Sequence, residues 1–339
     1  MVRVAFVPGD GIGPSIMDSA RRVLDASGVS FEWIEAPAGE AAHKQLGSPL
    51  PDSTLDIIGD TGLALKGPCT TPVGAGFRSV NVSMRKEFDL YANVRPAKAF
   101  PGVKCLFPEL DLITVRENTG GLYTSMEHWI GDREAAIGIG VNTREGMEAI
   151  SRYAFDLAVS QNRRKVTAVH KANILKILSG LFLESAEKVA SEYPGIEFEE
   201  RIVDNMAMQL VRDPYQFDVI VSTNLFGDIL SDLTAGLIGG LGLAPGGNIG
   251  RRVAIFEAVH GSAPDIAGKD IANPVSVILA GVMLLRHIGE PDAARRVENA
   301  VVAVLREGVA VTRDLNPEAG VGTAAMTAAI LTALAGRRD

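Results

Sequence analysis

Val7-Pro8-Gly9-Asp10-Gly11-Ile12-Gly13-Pro14 joins a β-branched run, Val2–Val7, to an amphipathic segment that Pro14, a favoured first helical residue, opens. A glycine-rich turn between a strand and a helix invites a dinucleotide fingerprint. The spacing refuses it. That fingerprint sets glycines at G-x-G-x-x-G, with an acid about 20 residues further on. Here the glycines stand at 9, 11 and 13, followed at once by Pro14. A tight βα turn lining a cleft is preferred to a phosphate cradle. Cofactor binding must be sought elsewhere in the chain.

Outward from this turn, short β-branched runs alternate with amphipathic stretches, the pattern of a mainly parallel sheet covered by helices. Strands are expected at Val2–Val7, Ser30–Ile34, Leu90–Arg95, Leu112–Glu117, Val166–His170, Phe198–Val203, Asp218–Ser222 and Val253–Phe256. Helices are expected from Pro14 and from near Thr143, Ile174, Asp204, Asn224, Pro274, Asp292 and Thr323. The Gly-rich tract Gly236 to Gly250 reads as a hinge or crossover, with Ala97 to Gly102 second. A length of 339 residues suits about two domains.

Hydrophobic residues at 47% and charged residues at 22% exclude general disorder. A net charge of −8 gives no positive field for a phosphate backbone, so no nucleic-acid partner is expected. Cys69 and Cys105 are the two cysteines. They form neither a disulfide framework nor a zinc-site spacing, which points to a reducing compartment. The opening residues lack a secretory h-region, and apolar runs such as Val277 to Leu285 are half of what a bilayer span needs. A cytoplasmic protein without membrane contact is expected.

Three charged constellations stand out. In the segment from Lys66 to Pro96, Ser79, Asn81 and Arg85 are spaced two and four apart, and Arg95 ends the following strand. Guanidinium forks grip carboxylates, while Ser and Asn select a second polar terminus; Ser79 as a plain helix cap beside solvated arginines is the alternative. Arg116 ends the next strand, with Tyr123 seven residues beyond, and Lys171 ends another just before a helix. Asp228 and Asp232 are four apart on one helix face, beside an apolar stripe of Ile229, Leu233 and Leu237. Like charges stacked this way are rationalised by arginines or by a divalent cation such as Mg²⁺ or Mn²⁺. Asp204 is a candidate third oxygen.

Together with HKAN, GLGLAPGGNIG and FEAVHGSAPDIAGKDIANP, these segments resemble the β-decarboxylating dehydrogenases: isocitrate, homoisocitrate and 3-isopropylmalate dehydrogenases. The resemblance implies two α/β domains around a cleft rather than a Rossmann fold. A large cofactor-binding domain would comprise 1–97 and 241–339, and a smaller one 98–240. It implies that Arg85, Arg95 and Arg116 hold the malate-like carboxylates, that Tyr123 and Lys171 move protons, and that Asp204, Asp228 and Asp232 hold Mg²⁺ or Mn²⁺. The Lys and one Asp would come from the neighbouring subunit, so the implied unit is a homodimer with shared active sites.

The same resemblance puts Glu257, His260, Gly261, Ser262, Ala263, Asp265 and Asn273 at the cofactor, with Thr70 beside the nicotinamide. An acid at Asp265 favours NAD⁺ over NADP⁺, because it accepts ribose hydroxyls and repels a 2′-phosphate. Lys66, Ser79 and Asn81 imply a polar substrate tail, hence isocitrate, to be oxidised and decarboxylated to 2-oxoglutarate. One departure points instead toward homoisocitrate, 3-isopropylmalate or another 3-substituted malate. Isocitrate enzymes usually read ENTEGEY, whereas Gly120 and Leu122 replace two acids here. A non-catalytic regulatory subunit would lack Tyr123, Lys171 or the metal acids, and all are present.

Overall fold

The computed structural model describes residues 1–71, 77 and 79–336. Residues 72–76 and 78, part of the segment expected to choose the substrate, lie outside the described residues. Ten strands form one sheet in the order β2-β1-β3-β12-β11-β4-β5-β10-β8-β9. In chain order they are β1 Val2–Val7, β2 Phe31–Glu35, β3 Leu63–Lys66, β4 Ala92–Lys98, β5 Asp111–Glu117, β8 Lys165–His170, β9 Glu197–Ile202, β10 Val219–Ser222, β11 Pro245–Ile249 and β12 Ala254–Ala258. The remaining two, β6 Gly121–Ile130 and β7 Ala135–Val141, pair as a separate antiparallel hairpin.

The outer parts of the large sheet are parallel, and there β3, β10 and β12 are buried along their whole length. Helices cover both faces of such strands, so their sequences read as unbroken apolar runs rather than alternating ones. In the middle, β11 runs antiparallel to both β12 and β4, and β4 runs antiparallel to β5. One hydrophobic cluster packs the helices Val275–His287 and Pro291–Glu307 onto this frame; a second joins Val115, Phe155, Phe182 and Val221. Lys66, Glu117, His170 and Ser222 close their strands. Polar groups thus collect where α/β sheets carry sites, at the carboxyl ends.

All eight expected strands are present, and the sheet is mixed. The sequence reading passes over β3, β11, the β6–β7 hairpin and the helices Glu40–Leu46 and Asp52–Thr61. The Gly-rich tract Gly236 to Gly250, expected as a hinge or crossover, contains β11. Its last part, Pro-Gly-Gly-Asn-Ile, is a buried strand. At Gly247 a Cβ would stand 3.1 Å from the Phe256 ring and 3.2 Å from Met283 Cε, so any larger residue would have to push these side chains aside. The helix expected near Ile174 begins at Leu178, since residues 171–175 first close a turn on the Lys171 carbonyl.

Candidate active site

Antiparallel pairing sets Asn93 opposite Arg116 and Arg95 opposite Thr114, so Arg95 and Arg116 project from one face of the sheet. The helix Asn224–Leu237 crosses that face. Asn224 Oδ1 accepts from Arg116 Nε at 3.0 Å and from Nη2 at 2.7 Å, and Arg116 Nη1 donates to Asp228. Arg95 Nη1 reaches Ser231 at 2.7 Å, Asp228 at 3.2 Å and Asp232 at 3.4 Å. Gly227 makes the approach possible, because a Cβ would lie 2.8 Å from Arg116 Cβ. The Tyr123 hydroxyl donates to Asp228 as well.

Of the expected apolar stripe, Leu237 is buried and Leu233 packs against the core, while Ile229 departs. Ile229 is exposed, and Gly227, Leu230, Ser231 and Thr234 turn inward. Asp228 and Asp232 border that face and meet cations. Burial and the neighbouring Arg95 and Arg85 lower the Arg116 pKa to about 10. Burial opposes ionisation of Asp228, but Arg116 and the Tyr123 hydrogen bond outweigh it and hold the carboxyl below its ordinary range. Asp232 is pushed up by burial and by Asp228. Tyr123 is raised by burial and by its bond to Asp228, which keeps the phenol protonated.

Next to Arg95 lies a cavity of about 130 Å³ whose wall includes Lys66, Asn81, Arg85, Glu257, His260 and Gly261. Ser79 caps the helix Val80–Glu87, its Oγ accepting from Val82 N at 3.5 Å. Arg85 is 8% exposed, and neither its Nε nor Asn81 Oδ1 finds a partner among the described residues. Buried polar groups of this kind call for a ligand or water. Lys66 and Glu257, expected on substrate and cofactor respectively, form an ion pair with each other on this wall. The parallel register sets them side by side, with Nζ 2.6 Å from Oε2. Burial opposes both charges, but the pair overcomes it: Lys66 is raised and Glu257 falls to about 2.

Lys171 pairs with Asp204 at a second place. One copy of the chain does not bring that pair to Asp228 and Asp232: among the described residues no group of three His, Cys, Asp or Glu side chains is gathered for a metal. The donor set nevertheless fits one. Asp228 and Asp232 are hard oxygen donors beside each other, and the mutual repulsion that raises Asp232 is what a divalent cation relieves.

The expected cofactor residues form a looser group. Thr70 Oγ1 lies 2.8 Å from Ser262 Oγ, and Ala263 adopts a left-handed φ of 38°. Gly261 is exposed, with open space where a Cβ would stand, and Asp265 is exposed on a short turn. Such a shelf fits a dinucleotide. Burial lowers the His260 pKa, favouring a neutral ring. Asn273 turns inward, its Oδ1 accepting from Val275 N at 3.0 Å and its amide donating to Asp314 at 2.9 Å. Sequence reasoning missed Asn224, Ser231 and Asn248, which accept or donate beside the charged groups. Asn224 had a signal, as the first residue of the acidic helix.

Clustered guanidinium groups, paired carboxylates and a protonated phenol define a site for a small polyanion with proton transfer at its edge. The chain belongs to the isocitrate/isopropylmalate dehydrogenase family, whose model matches residues 3–330, a family of decarboxylating dehydrogenases. It is 44% identical over 317 residues to a probable NAD isocitrate dehydrogenase subunit alpha, mitochondrial, of Drosophila melanogaster, covering 94% of this chain and 84% of that protein. It is 48% identical over 308 residues to the 3-isopropylmalate dehydrogenase of Archaeoglobus fulgidus, covering 91% and 93%. The crystal structure of isocitrate dehydrogenase from Methylococcus capsulatus superposes with a TM-score of 0.97 at 57% identity, covering 98% of this chain and 99% of that one.

Proposed function

We propose that the protein oxidises isocitrate with NAD⁺ and decarboxylates it to 2-oxoglutarate, releasing CO₂ and NADH. The observation that carries this reading is Arg85: a nine-tenths buried guanidinium with an unpartnered Nε on the wall of a small cavity that Arg95 also lines. Glu257, 3.9 Å from Arg85 Nη2, balances part of that charge, and a substrate carboxylate would partner the remaining Nε. Arg85, Arg95 and Arg116 bind the malate-like carboxylates. Asn81 and Ser79 address the third, and a pocket built to hydrogen-bond a polar tail strongly rejects substrates lacking one.

Asp228 and Asp232, with Asp204 of the partner subunit, would hold Mg²⁺ or Mn²⁺, which when bound polarises the substrate hydroxyl and stabilises enolate charge. Gly261, Ser262, Ala263 and Asp265 carry the dinucleotide. Tyr123, held as a neutral phenol, donates a proton to C3 after CO₂ departs, and Lys171 takes the hydroxyl proton.

A homodimer with shared active sites goes with this reading. It is supported by the exposed apolar residues Trp129, Ile130, Ile137 and Ile139 on the hairpin, and by Ile229 beside Asp228. Large apolar patches of this kind mark interfaces. Residues 1–97 with 241–339 form the proposed cofactor domain, and 98–240 the domain at the dimer interface. No described helix is long and apolar enough to cross a membrane; a cytoplasmic location is part of this proposal. Leu122, exposed where related isocitrate enzymes carry an acid, supports a second reading, the same chemistry on another 3-substituted malate.

Purified protein with Mg²⁺, assayed with NAD⁺ and NADP⁺ against isocitrate, homoisocitrate and 3-isopropylmalate, tests the proposal. Isocitrate with NAD⁺ should give the highest kcat/KM. A preference for 3-isopropylmalate would contradict the substrate, and no NADH from any of the three would contradict catalysis.

A further inference from the structure

Asp10, in the turn between β1 and the helix Gly13–Asp25, is 6% exposed and belongs to neither cluster described above. Its Oδ2 accepts from the backbone N–H groups of Thr70 at 2.8 Å and Glu40 at 2.9 Å, and its Oδ1 from that of Ala41 at 3.0 Å. These donors lie 60, 30 and 31 residues away along the chain. The helix Glu40–Leu46 starts after Gly39, which has no side chain to cap it. The Asp10 carboxylate does the capping from a distant loop. Gly39, at φ 93°, is required for this, because a Cβ there would run into Asp10 Oδ2.

The bond to Thr70 gives Asp10 its reach. The Thr70 hydroxyl meets that of Ser262 at 2.8 Å, and the Ser262 carbonyl accepts from Ile12 N at 2.9 Å. Asp10 N donates to the Pro68 carbonyl at 2.7 Å. One buried carboxylate therefore ties the glycine turn to the Thr70 loop and to the start of the helix Glu40–Leu46, and the Ser262 loop is joined to these through the Thr70 hydroxyl and Ile12 N. A neutral amide could not serve all three donors, since its NH₂ would face a backbone N–H.

We propose that Asp10 is a positioning residue for the dinucleotide, holding Thr70 and, through it, Ser262 in the arrangement that receives the cofactor. This rests on the cofactor-side reading of Ser262 given under the proposed function and on the place beside the nicotinamide that the family resemblance gives Thr70. It assigns the VPGDGIGP turn a part in cofactor binding without any phosphate contact by its glycines.

The test is direct binding of NADH to the full-length protein without substrate, read by fluorescence titration for wild type, Asp10→Asn and Gly39→Ala. Gly39→Ala displaces the carboxylate while keeping its charge, and it decides the matter alone if Asp10→Asn does not fold. Both variants should weaken NADH binding by about tenfold, a loss of roughly 1.4 kcal/mol. KM for NAD⁺ should rise in parallel, with kcat within about twofold and KM for isocitrate unchanged. A merely structural role would lower Tm and leave the affinity alone. Unchanged NADH affinity in the folded variants, or no NADH binding by the wild type, overturns the proposal. Wild-type protein that binds NADH but does not oxidise isocitrate sinks the substrate reading, while the affinities still decide Asp10.

Discussion

The guanidinium carbon of Arg116 lies 4.9 Å from the centre of the Tyr123 ring, and both side chains donate to Asp228. The ring face and the carboxylate together fix the cation, and the carboxylate orients the phenol. On the proposed mechanism, the substrate grip and the proton donor are thus parts of one unit.

Arg116→Lys should therefore do more than shorten a side chain. A lysine keeps the charge but lacks the fork that meets Asn224 at two nitrogens and Asp228 at a third. We expect kcat/KM for isocitrate to fall by about 100-fold or more, roughly 3 kcal/mol of transition-state stabilisation. A loss under tenfold would show that charge alone suffices.

Asp228→Asn removes a counter-charge shared by Arg95 and Arg116. Activity should be nearly abolished, while stability drops by about 1–2 kcal/mol, moderated by partial solvent exposure. Mg²⁺ should raise the Tm of the wild type by mass action and leave that of the variant unmoved. An equal Mg²⁺ shift in both proteins would show that Asp228 holds no metal.

The buried Lys66–Glu257 pair predicts an acid limb. The Glu257 pKa falls from 4.5 to about 2 on folding, so its contribution is complete above pH 4.5 and is lost as the pH falls toward 2. At about 1.4 kcal/mol per unit the loss approaches 3 kcal/mol. Unfolding free energies of wild type and Glu257→Gln should converge by that amount between pH 5 and pH 2. Parallel curves would contradict the pair.

Asp265 stands exposed on its turn, so Asp265→Lys should leave folding intact and shift the kcat/KM ratio toward NADP⁺ by tenfold or more. An unchanged ratio would remove the ribose argument.

The groups of this site were legible in the sequence because they lie on short β-branched strands and one amphipathic helix, where spacing fixes which side chains share a face; β4 runs on to Lys98, so Arg95 stands in mid-strand rather than at the end expected of it. Arg95, Arg116, Asp228 and Asp232 follow from period-two and period-3.6 geometry. What stayed hidden depends on contacts distant along the chain. Lys66 and Glu257 meet only because β3 and β12 are neighbours in a particular register. Asp10 reaches Thr70 only once three loops converge. The strand β11 carries no β-branched signal until its final Ile249, and its Gly247 packs against the Phe256 ring. The hairpin β6–β7 buries little within one chain, so its sequence shows no core-facing alternation.

Subunit complementation tests the shared catalytic centre most directly. Lys171→Ala and Asp228→Asn proteins should each be inactive on isocitrate with NAD⁺. Unfolded together and refolded as a mixture, they form mixed dimers with one intact site each, so activity should recover to about one quarter of wild type for a symmetric dimer. A refolded mixture as inactive as its parents, with mixed dimers present, would contradict an active site built from two copies of this chain.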